Sequence, residues 1–142
     1  MIQVGGENRP SQEGVEAFAL KLSNYVGVEI GGAYFSKSDA SSGVTDMTIG
    51  HFQGNLSRQS ESKGHRMGIA AGLSLKGFFH THPEGGTISD ERRIRASDAD
   101  FDVRNSALKT NPTLYFMIIT RSPEFNDKTP YKKDYTKDTK SY

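Results

Sequence analysis

The sequence predicts an α/β sandwich, in which helices flank a central β-sheet, within a single domain of 142 residues. Helical and strand patterns alternate in the order αββαβαβ, and the chain is long enough for one hydrophobic core. Charges of both signs are interspersed and the formal net charge is +1, which argues against a nucleic-acid or membrane-binding surface. There is no cysteine, so disulfides, thiolate nucleophiles and cysteine-ligated zinc are excluded.

The first half of the chain predicts a helix followed by a β-hairpin. Ser11 is a good N-cap, and the helix to about Asn24 is indicated by apolar residues at helical spacing: Val15, Phe18, Ala19 and Leu22. Residues 25–35 are aromatic and β-branched, which is typical of a strand. A turn-forming stretch at 36–43 then separates this strand from a second one over 44–52.

The second half continues the alternation. In chain order we predict a helix from about 57 to 73, a strand over 73–82, a polar loop over 84–96, a helix that begins at Ser97 and a strand over 113–120. The core of the domain then spans about residues 11–120. Residues 122–142 are rich in Lys, Asp and Tyr, and form either a polar edge strand or a loose tail.

Two of the four histidines, His80 and His82, lie one residue apart at the end of a predicted strand. Side chains alternate across a strand, so both imidazoles point to one face, whereas Phe79 and Thr81 point to the other. Pro83 cannot continue the ladder and leaves the imidazoles at an accessible rim. The pair supplies half of a zinc site, or it is an ordinary strand end with two incidental histidines.

A third ligand is available where the next helix begins. Ser97 and Asp100 have the spacing of a capping box. A carboxylate in the first turn of that helix also completes a His-His-Asp set and leaves the fourth position for water, as in a catalytic zinc site. The two roles are compatible. Asp98 and Asp90 are rival ligands of lower rank.

A proton acceptor for such a water is found at Glu29. This carboxylate lies inside a mostly apolar predicted strand, where an acidic residue is uncommon unless it is paired or functional. Near zinc, Glu29 would accept the proton of the water and pass it to a leaving amine. The alternative is an exposed residue on an edge strand.

These residues together resemble the JAMM (MPN, JAB-type) metallopeptidase signature. In that family a Glu on an early strand is followed by H-[ST]-H-P and then by S-x-x-D. Here Glu29-Ile-Gly-Gly32 precedes His80-Thr-His82-Pro83 and Ser97-x-x-Asp100. The resemblance covers about residues 11–120.

The resemblance implies a zinc metallopeptidase that hydrolyses a peptide or isopeptide bond, such as that of a ubiquitin-like conjugate. His80, His82 and Asp100 would bind one Zn²⁺ per chain, Glu29 would be the general acid/base, and Ser97 would stabilise the oxyanion. It also implies a three-layer deaminase-like sandwich with a central mixed β-sheet flanked by helices. A cytidine deaminase site is excluded because it needs cysteine ligands.

The spacer between Pro83 and Ser97 departs from the family pattern. It has thirteen residues, roughly twice the usual length, and it contains Arg92, Arg93 and Arg95. Those arginines would either form a flap that recognises an acidic or C-terminal carboxylate group, or lie on a solvated surface loop.

Two other classes of function stay open, and so does the cellular context. One is a non-catalytic MPN-like interaction module; the other is a metal-dependent phosphoesterase or nuclease, for which only His51 and His65 remain as further histidines.

The small size of the chain is similar to that of the JAB-like domains of bacterial toxins and effectors. This similarity would imply an immunity or accessory protein as partner. The N-terminus lacks the apolar core of a signal peptide, so we expect a soluble protein, either cytoplasmic or secreted within a larger effector.

Overall fold

The computed structural model describes residues 2–5, 7–36, 43–49, 72–84, 89–121 and 130–140. The strands in these ranges are β1 (Ile2–Gln3), β2 (Ile30–Ser36), β3 (Gly43–Ile49), β4 (Ser74–Thr81), β5 (Tyr115–Thr120) and β6 (Tyr131–Asp134). The helices in the same ranges are α1 (Gln12–Val26), α2 (Asp90–Arg93) and α3 (Asp98–Thr110).

The six described strands form one mixed sheet in the order β1-β3-β2-β4-β5-β6. Strands β4 and β5 run parallel, and every other neighbouring pair runs antiparallel. A parallel pair needs a crossover connection, and α2 and α3 lie in that connection between β4 and β5. The chain is therefore a mixed α/β protein, as the sequence predicts.

Helices α1 and α3 pack on opposite faces of the sheet. Phe79 of β4 packs with Ala19 and Leu20 of α1. The preceding residue, Phe78, packs on the other face with a cluster that includes Phe101 of α3. Successive side chains of a strand point to opposite faces, so the adjacent phenylalanines supply both layers of the core.

The predicted strand at 25–35 begins too early. Tyr25 and Val26 belong to the last turn of α1, and Gly27 then ends the helix in the left-handed conformation with φ 73°. The Gly27 N–H donates to the carbonyl of Ser23. Glycine is favoured at this helix end because a Cβ atom makes the left-handed conformation costly. Strand β2 therefore starts only at Ile30, after a link of three residues.

The remaining elements follow the predictions with shifted ends. The second hairpin strand covers 43–49, the helix after Ser97 begins as predicted, and the last predicted strand starts at Tyr115. The polar loop over 84–96 contains the short helix α2, and the C-terminal segment forms the edge strand β6.

The predicted helix over 57–73 lies outside the described residues except at its end. There, Gly72 has a positive φ and β4 follows from Ser74, so the last two residues are not helical. Within the described ranges, no helix is long and apolar enough to cross a membrane.

Candidate metal centre

The two histidines meet at the C-terminal end of β4. His80 Nε2 and His82 Nε2 lie 3.0 Å apart. His82 follows the last strand residue, yet its N–H donates to the carbonyl of Ile119, and the Thr120 hydroxyl donates to its carbonyl. These two bonds to β5 keep the chain extended past the strand end, so both imidazoles point to the same face, as the alternation predicts.

Asp100 reaches the histidines from the first turn of α3. Its Oδ2 accepts hydrogen bonds from the Ser97 N–H (2.7 Å) and the Ser97 hydroxyl (2.8 Å). Its Oδ1 lies 3.3 Å from His80 Nε2. Asp100 therefore takes part in the capping box through Oδ2 and approaches His80 through Oδ1. Ser97 Oγ also accepts a hydrogen bond from the Asp100 N–H, and the Ser97 hydroxyl donates its only proton to Asp100.

Glu29 lies in the link between α1 and β2, outside the strand in which the sequence places it. Its Oε1 is 3.8 Å from His82 Nε2. A buried hydroxyl network fixes this link. The Thr81 hydroxyl accepts from the Ile30 N–H and donates to Ser23 Oγ, and the Ser23 hydroxyl donates to the Val28 carbonyl. Glu29 is thereby held between two anchored neighbours beside the histidines.

Removing the Thr81 hydroxyl should destabilise the fold. We expect Thr81→Val to lower the free energy of unfolding by about 1–3 kcal/mol, because the Ile30 N–H loses a buried acceptor. Thr110→Val, at an exposed helical position, is the matched control and should change it by less than about 0.5 kcal/mol. Urea denaturation measures both. An unfolding free energy of Thr81→Val equal to that of the control would contradict the role given to this network.

The protonation states of His82 and Asp100 suit metal binding. The His82 Nδ1–H donates to the Arg93 carbonyl at 2.7 Å, which leaves the Nε2 lone pair directed at the cluster. Burial, and then the nearby His80, lower the pKa of His82 from 6.5 to about 4, so this ring is neutral at physiological pH. Burial alone would raise the pKa of Asp100, but the adjacent His80 and the hydrogen bond from Ser97 keep it well below its usual value. Neutral imidazoles and an ionised carboxylate are the forms that bind metals.

The donor spacing also suits a small tetrahedral ion. Ligand atoms at zinc-bond distance in a tetrahedral site lie about 3.3 Å from one another. The observed separations are 3.0 Å between the two imidazole nitrogens and 3.3 Å from His80 to Asp100 Oδ1. The donor atoms of Glu29, His80 and His82 also lie within 4.8 Å of one another. Glu29, His80 and His82 therefore form a group that could hold one metal ion. Asp100 adjoins this group, 3.3 Å from His80 Nε2 and 3.9 Å from His82 Nε2.

The comparisons with known proteins add no relative. No protein-family model matches the chain, and no curated protein matches it at a significant level. The function of this chain is therefore inferred from the geometry of this site. Of the rival ligands, Asp98 is exposed on the first turn of α3, and the side chain of Asp90 lies outside the described residues.

Two contacts of the histidines are not evident from the sequence. The Arg93 carbonyl, which orients His82, is a backbone group and leaves no mark on residue identity. Tyr135 comes from the C-terminal segment, and its hydroxyl lies 3.5 Å from His80 Nδ1. Its ring also packs edge-on against the His80 imidazole. Only the position of Tyr135 within the segment predicted as an edge strand or a loose tail hints at this contact.

Proposed function

We propose that this chain is a zinc-dependent metallopeptidase of the JAMM type that hydrolyses a peptide or isopeptide bond. The observation that carries the proposal is the convergence of two imidazoles and two carboxylates at one strand end. They come from three separate segments: the link before β2, the end of β4 and the first turn of α3. The family resemblance and the helices on both faces of the sheet support a deaminase-like sandwich.

In this proposal His80, His82 and Asp100 hold the metal. When bound, zinc would lower the pKa of a coordinated water toward neutrality and polarise the substrate carbonyl. Asp100 is assigned as the carboxylate ligand because its Oδ1 lies 3.3 Å from His80 Nε2 and its Oδ2 is fixed by Ser97. The distances to His82 Nε2 do not separate the two carboxylates, at 3.9 Å for Asp100 Oδ2 and 3.8 Å for Glu29 Oε1. A ligand whose orientation is fixed in advance loses little freedom on binding.

Glu29 is left as the proton-transfer group. Its carboxylate lies 3.8 Å from His82 Nε2, and it accepts the proton of the attacking water and delivers it to the leaving amine. Ser97 positions Asp100 through the hydroxyl and the backbone N–H. Its further role at the oxyanion requires that the hydroxyl turn from Asp100 toward substrate.

Hydrolysis assays test the proposal. Zinc-loaded protein should cleave a quenched fluorescent peptide library or a ubiquitin-like isopeptide conjugate, and a chelator should abolish cleavage. Readdition of about one equivalent of zinc should restore it. Cleavage that survives complete metal removal would contradict the proposal. Zinc-loaded protein that cleaves neither substrate class would indicate a non-catalytic metal-binding module instead.

A further inference from the structure

A basic cleft with a volume of about 550 Å³ opens beside the metal centre. One wall is Ile94 and Arg95, in the connection between α2 and α3. The other wall comes from β6 and the residues after it. Among the described residues that line the cleft, the cationic ones are Arg95, Lys133, Lys137 and Lys140, and the one carboxylate is that of Asp138.

The cleft lies on the same face of the sheet as the histidines. Lys133 of β6 is in register with Ile118 of β5, which is in register with His80 of β4. Residues in register on neighbouring strands point to the same side, and each strand spacing is about 4.8 Å. Lys133 therefore stands about 10 Å from His80, across β5.

Both walls continue segments that contact the histidines. Arg95 lies two residues after Arg93, whose carbonyl accepts a hydrogen bond from the His82 Nδ1–H. Lys137 lies two residues after Tyr135, whose hydroxyl approaches His80 Nδ1. The second wall is fixed by the buried Arg104, which donates to the carbonyls of Tyr135 and Asp138 at 2.7 Å each.

The cleft keeps a positive charge after its internal ion pairs are counted. Lys133 pairs with Asp138 and Arg95 with Glu91, each at 3.2 Å. Such solvent-accessible pairs contribute little and exchange readily. Lys137 and Lys140 are exposed and form no ion pair with any residue in the described ranges. Two ammonium groups without an ion-pair partner in the described ranges therefore line the cleft.

We propose that this cleft binds the carboxylates of an acidic segment of the peptide substrate. That the segment belongs to a substrate rests on the proposed function; the binding itself does not. An extended peptide advances about 3.3 Å per residue, so 10 Å corresponds to an acidic residue about three positions from the scissile bond. Dispersed ammonium groups match several separate carboxylates. The formal net charge of the chain is near neutral, whereas a nucleic-acid-binding protein usually has a broad basic surface.

Binding of a fluorescein-labelled hexaglutamate peptide, followed by anisotropy at low salt, tests the cleft without requiring activity. The double variant Lys137→Glu/Lys140→Glu should weaken binding at least about tenfold. The control Lys21→Glu/Lys109→Glu makes the same change in net charge at exposed positions on α1 and α3, and should weaken it less than about twofold. Equal losses in both double variants, or tighter binding of a labelled oligothymidylate of equal charge, would overturn the proposal.

A cleavage assay separates this inference from the proposed function. Peptides carrying Glu three positions from the scissile bond, on either side, should have a higher kcat/KM than peptides carrying Lys there, and the cleft variant should remove that difference. Zinc-dependent cleavage with no preference for Glu would overturn the cleft and leave the peptidase intact. Cleft-dependent hexaglutamate binding without any cleavage would support the cleft and count against the peptidase.

Discussion

Glu29→Gln is expected to retain zinc and to lose hydrolytic activity by about 10²–10⁴-fold. The substitution keeps the size and polarity of the side chain but removes its capacity to accept a proton. Glu29 lies 3.8 Å from His82 Nε2, close enough to reach a water held between the histidines. The decrease should appear in kcat, because the proton transfer belongs to the transition state.

Glu13→Gln provides the matched control for this variant. Glu13 is exposed in the first turn of α1, so its loss changes the net charge equally and leaves the site intact. Steady-state kinetics on zinc-loaded samples of equal metal content compare the two. Wild-type turnover in Glu29→Gln would remove Glu29 from the mechanism, and loss of zinc in that variant would make Glu29 a ligand instead.

Asp100→Asn is expected to give the opposite result and lose the metal. Removing a partner of a metal ligand already costs 10–100-fold in affinity, so removal of a direct ligand should cost about 100-fold or more. The asparagine carbonyl can still accept the Ser97 N–H, so the start of α3 is preserved. Zinc competition with a chromophoric chelator measures the affinity, and circular dichroism checks the fold.

The pair of variants assigns the two carboxylates. Reduced zinc affinity in Asp100→Asn together with wild-type affinity in Glu29→Gln supports a His-His-Asp ligand set. The reverse result would make Glu29 the ligand, in agreement with the mutual proximity of Glu29, His80 and His82. Asp100 would then act only as the helix cap.

Local rules were sufficient to predict the central part of the site. The alternation of β4 places His80 and His82 on one face, and the S-x-x-D spacing places Asp100 in the first turn of α3. Both features depend on residues a few positions apart, where backbone geometry determines side-chain direction. The long spacer does not displace the helix, which begins after Ser97 as predicted.

Contacts between distant segments were not predictable in the same way. The spacer folds into α2, and the carbonyl of Arg93 orients His82. The spacer thus contributes to the site through its backbone, whereas the sequence suggests only its arginine side chains. Arg93 itself is buried, and Arg95 lines the basic cleft.

At the start of β2, one glycine determines where the preceding helix ends, although the local composition favours a strand. Aromatic and β-branched residues at 25–28 favour a strand, but the left-handed cap at Gly27 lets α1 continue through Val26. Glu29 consequently lies in a link fixed by the hydroxyls of Ser23 and Thr81. That network joins residues 58 positions apart, so no local pattern could indicate it.

The proposed function depends on the binding of one zinc ion by His80, His82 and Asp100. Metal analysis by ICP-MS, on protein purified without chelator and desalted after zinc loading, measures this binding. We expect about one zinc per chain in the wild-type protein and less than about 0.1 in His82→Ala. A wild-type protein that retains no zinc, or a His82→Ala variant that retains as much as wild type, would contradict it.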